Sequence, residues 1–181
     1  LIAYSNTYDP EPHSGWEGNE EISGGIFFTT CCHDFDLLRW LIGEEVKKIY
    51  VEVNGTFGKD QYASCLLTFN KGIIAIVNVM EICPYGHDVK TEIVGDKGAI
   101  RVEQPSMTSL SFMSKDGIHR DYPYWFIDRF RISYIREIEE FISSIFEDRE
   151  PKVNVIDGIK SVKICEAALR SMREGKPIEI E

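Results

Sequence analysis

Between residues 46 and 94 four segments rich in β-branched and aromatic residues follow one another with no helical period between them: 46–57, 61–70, 72–82 and 87–94. Turn signals such as Asn70-Lys71-Gly72 separate them. Strands that run on in this way, instead of alternating with helices, exclude a repeating βαβ plan and call for an antiparallel meander. Shorter strand-like segments at 99–103, 109–113 and 118–122 extend it, and residues 1–8 (LIAYSNTY) read as a further strand before an aperiodic polar loop. Three helical stretches complete the chain. Phe28, Cys32, Phe35, Leu38 and Leu41 step by three and four within 25–41, and Gly43 stops them. Phe126, Phe130, Tyr134, Ile138, Phe141 and Ile145 do the same over 126–146. The last helix opens on Asn154, three residues before Asp157 in a variant capping box, and ends at Gly175-Lys176-Pro177. The expected fold is α+β, an open, predominantly antiparallel β-sheet with helices packed on one face.

In the two central strands both alternating sets are largely apolar. Ala63, Cys65 and Leu67 oppose Tyr62 and Leu66, and Ala75, Val77 and Val79 oppose Ile74, Ile76 and Met80. Helices cover one face, so the other needs a cover of its own. A second copy of the chain is the simplest one, giving a homodimer or homotetramer through the sheet face, and loops of the same chain are the alternative.

The 181 residues carry 20 Lys+Arg against 30 Asp+Glu, a net charge of −10. Such a surface repels nucleic acid and anionic membranes alike, so neither is expected as a partner. Five cysteines at positions without framework spacing, and no leader at the start, point to a reducing cytoplasm. Leu1 in place of Met suggests a piece of a longer protein.

The densest reactive cluster lies on the first helix: Thr29, Thr30, Cys31, Cys32, His33, Asp34 and Asp36. Thr29 and His33 stand four apart and His33 and Asp36 three apart, so all three can share a helix face. His33 is either a proton-transfer group or a buried, hydrogen-bonded helix histidine. Adjacent cysteines point about 100° apart and no second ligand pair follows, so no metal is expected. There is no G-x-G-x-x-G after a strand, no P-loop and no G-x-S-x-G, so the chain does not by itself cradle a dinucleotide.

The run SGGIFFTTCCHDFDLLRWLIGEEV (residues 23–46) resembles the signature of the glucose-fructose oxidoreductase / inositol dehydrogenase / rhizopine catabolism (Gfo/Idh/MocA) family, especially its inositol dehydrogenase branch. The hairpin EIVGDKG (92–98), Arg129-Phe130 with Tyr134 and Glu137, and Asp157-Gly158 through Ala167, Ala168 and Ser171 to Pro177 agree in the same order. The resemblance implies a C-terminal domain spanning 1–181, similar to that of glyceraldehyde-3-phosphate dehydrogenase, which carries substrate contacts and subunit interfaces. The family's N-terminal Rossmann domain, absent from this chain, binds NAD or NADP and supplies a catalytic lysine, so the chain alone is expected to be inactive. By the same resemblance His33 occupies the catalytic histidine position, and Thr29 stands where the family usually has an aspartate. Asp9 and Tyr134 take substrate-binding positions. The implied reaction moves hydride between nicotinamide and a hydroxyl-bearing carbon of a sugar, inositol or related polyol. The other outcome is a non-catalytic binding or assembly domain, favoured by Thr29.

Overall fold

A computed structural model describes residues 1–56 and 59–180, so Phe57, the expected end of the second strand, lies outside the described residues. The chain runs β1 (Ile2–Tyr8), α1 (Glu20–Ser23), a π-helical turn (Phe27–Cys31), α2 (Cys32–Ile42), β2 (Val46–Thr56), β3 (Lys59–Phe69), β4 (Ile74–Met80), β5 (Asp88–Gly95) and β6 (Gly98–Val102). The β7 (Ser111–Ser114) and β8 (Gly117–Arg120) hairpin, α3 (Phe126–Phe146), α4 (Val155–Glu174) and β9 (Ile178–Glu179) follow.

Seven strands form one sheet in the order β6-β5-β1-β4-β3-β2-β9, and β7 pairs with β8 apart from it. The expected meander is therefore interrupted. β1 enters between β4 and β5, parallel to β4 with Tyr8 beside Met80, and antiparallel to β5. No local pattern announces this, because the partner of a strand is chosen by what it buries. On β1 the inward positions are Ala3, Ser5 and Thr7, small or polar groups that leave room for α2 above.

The core lies between one sheet face and the helices α2 and α4. Phe35 and Leu38 from α2 and Ile164, Cys165, Ala167 and Ala168 from α4 meet Ile49, Val51, Ala63, Cys65, Leu67, Ala75, Val77 and Val79. The small residues of α4 let it lie close to β2. Ser171 replaces a missing strand partner there: its hydroxyl accepts the Val51 amide at 3.1 Å and donates to the Lys176 carbonyl at 2.7 Å, where β9 has not yet begun. The capping box of α4 forms as the sequence suggests, with Asn154 Oδ1 accepting from the Ile156 amide and Asp157 Oδ2 from the Asn154 amide. Gly43 ends α2 at φ 71°, a left-handed conformation that a side chain disfavours. By contrast, α3 contributes little to the core. Only Ser144 among its residues is buried, and its N-terminal turn docks through Phe126 and Phe130 against His87.

The opposite sheet face is open. Tyr4, Ile76, Leu66 and Tyr50 are aligned by register in a row across four strands, and Leu66 and Ile74 are 45% and 43% exposed. Beside this row lies a polar network. Ser64 donates to Asn78 Oδ1 at 2.7 Å, and Asn78 Nδ2 donates to Asn6 Oδ1 at 2.9 Å.

Candidate active site

The parallel pairing of β1 with β4 decides where the chemistry sits. Because Tyr8 lies beside Met80, the next residues, Asp9 and Glu81, leave the sheet side by side at the same edge. The Asp9 backbone is clamped there, its amide donating to the Met80 carbonyl and its carbonyl accepting the Cys83 amide, each at 2.8 Å. Both side chains are 8% exposed. Burial raises the pKa of both carboxyls; the nearby Asp9 charge adds to the rise at Glu81, and His13 opposes it at each.

Two imidazoles face this pair, and a third lies beyond them. His13 comes from the loop after β1, with Nε2 3.8 Å from Glu81 Oε1, 3.9 Å from Asp9 Oδ2 and 3.3 Å from the Thr30 hydroxyl. Its Nδ1 lies 3.6 Å from Glu17 Oε2. His87 precedes β5 and is 4% exposed, with Nε2 3.5 Å from Asp9 Oδ1 and its ring edge-on to Phe130. Burial first, and then the Arg129 charge, push the His87 pKa down, which favours a neutral ring. His33, on the first turn of α2, is exposed at the surface of the cluster. The protein packed beneath it lowers its pKa, Asp36 opposes that shift and His13 adds to it.

Beneath the cluster lies a third acid. Asp34 is fully buried; Ser5 Oγ donates to its Oδ1 at 2.5 Å and Thr91 Oγ1 lies 3.2 Å from Ser5 Oγ, while Asp34 Oδ2 has no partner among the described residues. Burial lifts its pKa to about 6, opposed by the Ser5 hydrogen bond and by the nearby Thr7 hydroxyl.

Thr29 falls within the π-helical turn, not in the α-helix that holds His33. Its hydroxyl donates to the Gly25 carbonyl at 3.2 Å, and its presence near Glu81 favours the ionised form of that carboxyl. The close turn that leads in depends on Gly24, at φ 84°, where an added Cβ would lie 2.5 Å from the Phe28 ring. Of the residues singled out from the sequence, Asp9 and Thr29 therefore converge on Glu81, and His33 lies one helical turn beyond Thr29. Tyr134 is partly exposed on α3 and reaches the cluster through aromatic contacts, its ring 6.5 Å from Phe126, which in turn lies 6.4 Å from His87. Glu81, His13 and His87 were missed, and Asp34, named in the reactive cluster, was assigned no role. Asp34 sits within the motif itself, but the other three are brought in by strand pairing and by a loop without period.

The neighbouring thiols take no part. Burial raises the pKa of Cys31, Cys32 and Cys165, keeping them as thiols, and Cys32 and Cys165 donate to the carbonyls of Phe28 and Phe27. Among the described residues no helix is long and apolar enough to cross a membrane.

Known proteins resemble this chain over nearly its whole length. Residues 2–180 match the family model described as "Oxidoreductase family, C-terminal alpha/beta domain". The uncharacterized oxidoreductase YrbE of Bacillus subtilis is 32% identical over 181 residues, covering 96% of this chain and 52% of the relative. The scyllo-inositol 2-dehydrogenase (NAD(+)) of the same organism is 28% identical, covering 88% of this chain and 48% of the relative. The crystal structure of myo-inositol 2-dehydrogenase from Lactobacillus plantarum superposes with a TM-score of 0.87 at 25% identity, over 100% of this chain and 57% of that one. The chain thus spans about half the length of the curated relatives it matches.

Proposed function

Since this chain belongs to the Gfo/Idh/MocA oxidoreductase family as its C-terminal alpha/beta domain, we propose that it is the substrate-bearing half of an NAD(P)-dependent dehydrogenase. The reaction transfers hydride between nicotinamide and a hydroxyl-bearing carbon of inositol, a sugar or a similar polyol. The observation that carries this reading is the group of carboxylates, hydroxyls and imidazoles gathered at the ends of β1 and β4, where Asp9, Glu81, His13, His87 and Thr29 meet. Vicinal hydroxyls need such alternating donors and acceptors, and oxidation of a hydroxyl needs a group to take its proton. In this reading His33 from α2 and Thr29 from the π-helical turn before it face the reacting carbon, and Asp9 and Tyr134 line the polyol pocket.

The nucleotide is held mainly by an N-terminal Rossmann domain encoded upstream, and the open sheet face joins subunits. The reading is supported by the NAD(+)-dependent relative and by the match over nearly the whole chain. The test is to read the coding sequence upstream of Leu1, express the longer product, and follow nicotinamide reduction with myo-inositol, scyllo-inositol and glucose. We expect a strand followed by G-x-G-x-x-G upstream, and turnover of at least one polyol. A longer product that binds NADH but oxidises none of them refutes the reading.

A further inference from the structure

The two accessible imidazoles of the site are unequally provided with negative charge. For His33 the acidic neighbour is Asp36, whose carboxylate already accepts an Arg39 N–H at 3.1 Å. His13 has carboxylate oxygens near both ring nitrogens, Glu17 on one side and Glu81 with Asp9 on the other. Glu81 and Asp9 are buried, and a proton held between them on His13 offsets charge that water reaches poorly. The groups facing His13 are Asp9 and Glu17 from its own segment, Glu81 just after β4, and Thr30 and His33 from the π turn and α2. Glu20 and Thr29 face Glu81 in turn.

We propose that the proton released when the substrate hydroxyl is oxidised comes to rest on His13, and that Glu81 is the positioning carboxylate of that ring. This rests on the oxidoreductase reading above. As hydride leaves the carbon for the oxidised nicotinamide, the hydroxyl O–H bond breaks, its electron pair completes the carbonyl and the proton passes to the imidazole. In the reverse direction His13 returns it. Thr29, which favours the ionised form of Glu81 and carries no carboxylate itself, leaves the negative charge of the site at the end of β4.

Carbon-13 NMR of the side-chain carboxyls of the 181-residue chain reads the pair without turnover. His13→Asn should move the Glu81 titration to higher pH, because the positive ring that favours the ionised carboxylate is gone, and an unmoved Glu81 overturns the pairing. In the longer product, the pH profile of kcat/KM for inositol oxidation tests the proton's destination. His13→Asn should cost about 10²-fold or more and remove the limb on which rate rises with pH. Glu81→Gln should lower kcat with KM little changed, and Glu81→Asp should restore part of it. An active protein that keeps its rate and its limb in His13→Asn refutes the His13 assignment alone. A product that oxidises no polyol refutes the oxidoreductase reading, and the proton's source with it.

Discussion

Asp34 offers a stability measurement whose size follows from the structure. Its carboxyl is 2% exposed, takes one short hydrogen bond from Ser5 and leaves Oδ2 without a partner among the described residues. Burial opposes ionisation more strongly than Ser5 and Thr7 support it, and the nearby Asp9 charge adds to the opposition, so the pKa rises from 3.8 to about 6. The folded state therefore holds a proton that the unfolded chain has lost in this interval, and stability falls as pH rises through it. At ~1.4 kcal/mol for each pH unit, the interval from 3.8 to about 6 corresponds to about 3 kcal/mol. Asn cannot ionise and keeps the acceptor for Ser5, so Asp34→Asn removes this dependence while other titrating groups cancel between the two proteins. Urea unfolding from pH 3.5 to 7.5 should show the variant gaining about 3 kcal/mol relative to wild type, nearly all of it between pH 4 and 6. Adding Asp9→Asn to the wild-type background should narrow the window from its upper end. A difference that stays flat within about 0.5 kcal/mol across the range would refute the argument that Asp34 is a protonated buried acid.

Arg39 is almost wholly buried and forks onto Glu45, Nε to Oε2 at 2.8 Å and Nη2 to Oε1 at 3.1 Å, with Lys160 Nζ 2.7 Å from Oε1. Chiefly through Arg39 the Glu45 pKa is held down at about 2, so its contribution is complete above about pH 4.5 and disappears as pH falls toward 2. Because Glu45 itself is half exposed, solvent screening reduces the effect. Glu45→Gln should cost about 1–2 kcal/mol at pH 7 and progressively less below pH 4.5, read by urea unfolding at both. On the open sheet face, light scattering at tens of micromolar should report at least a dimer, which Ile76→Lys dissociates; a monomeric wild-type chain ends that proposal.

The elements were legible where a periodic apolar pattern met a recognisable end. The helix over Cys32–Ile42 stops at Gly43, and Asn154 with Asp157 opens Val155–Glu174 with the hydrogen bonds their types suggest. The inward set Ala63, Cys65, Leu67 and Ala75, Val77, Val79 could be read from alternation alone, because a period of two assigns faces without knowledge of the partner. Pairing order is another matter. The inward set of β1, Ala3, Ser5 and Thr7, is small or polar, and nothing local in it distinguishes a β1 at the edge from a β1 between β4 and β5. Yet that insertion is what sets Asp9 beside Glu81, since residues that leave two parallel strands in register emerge together at one edge. His13 then joins through a loop whose path no periodicity describes. The motif on α2 pointed to the right end of the molecule because helix spacing is local. The carboxylates around it depend on contacts between residues 72 positions apart, such as Asp9 and Glu81. A reading of the site from α2 alone therefore places its negative charge on the helix, whereas the fold supplies it from the strand ends.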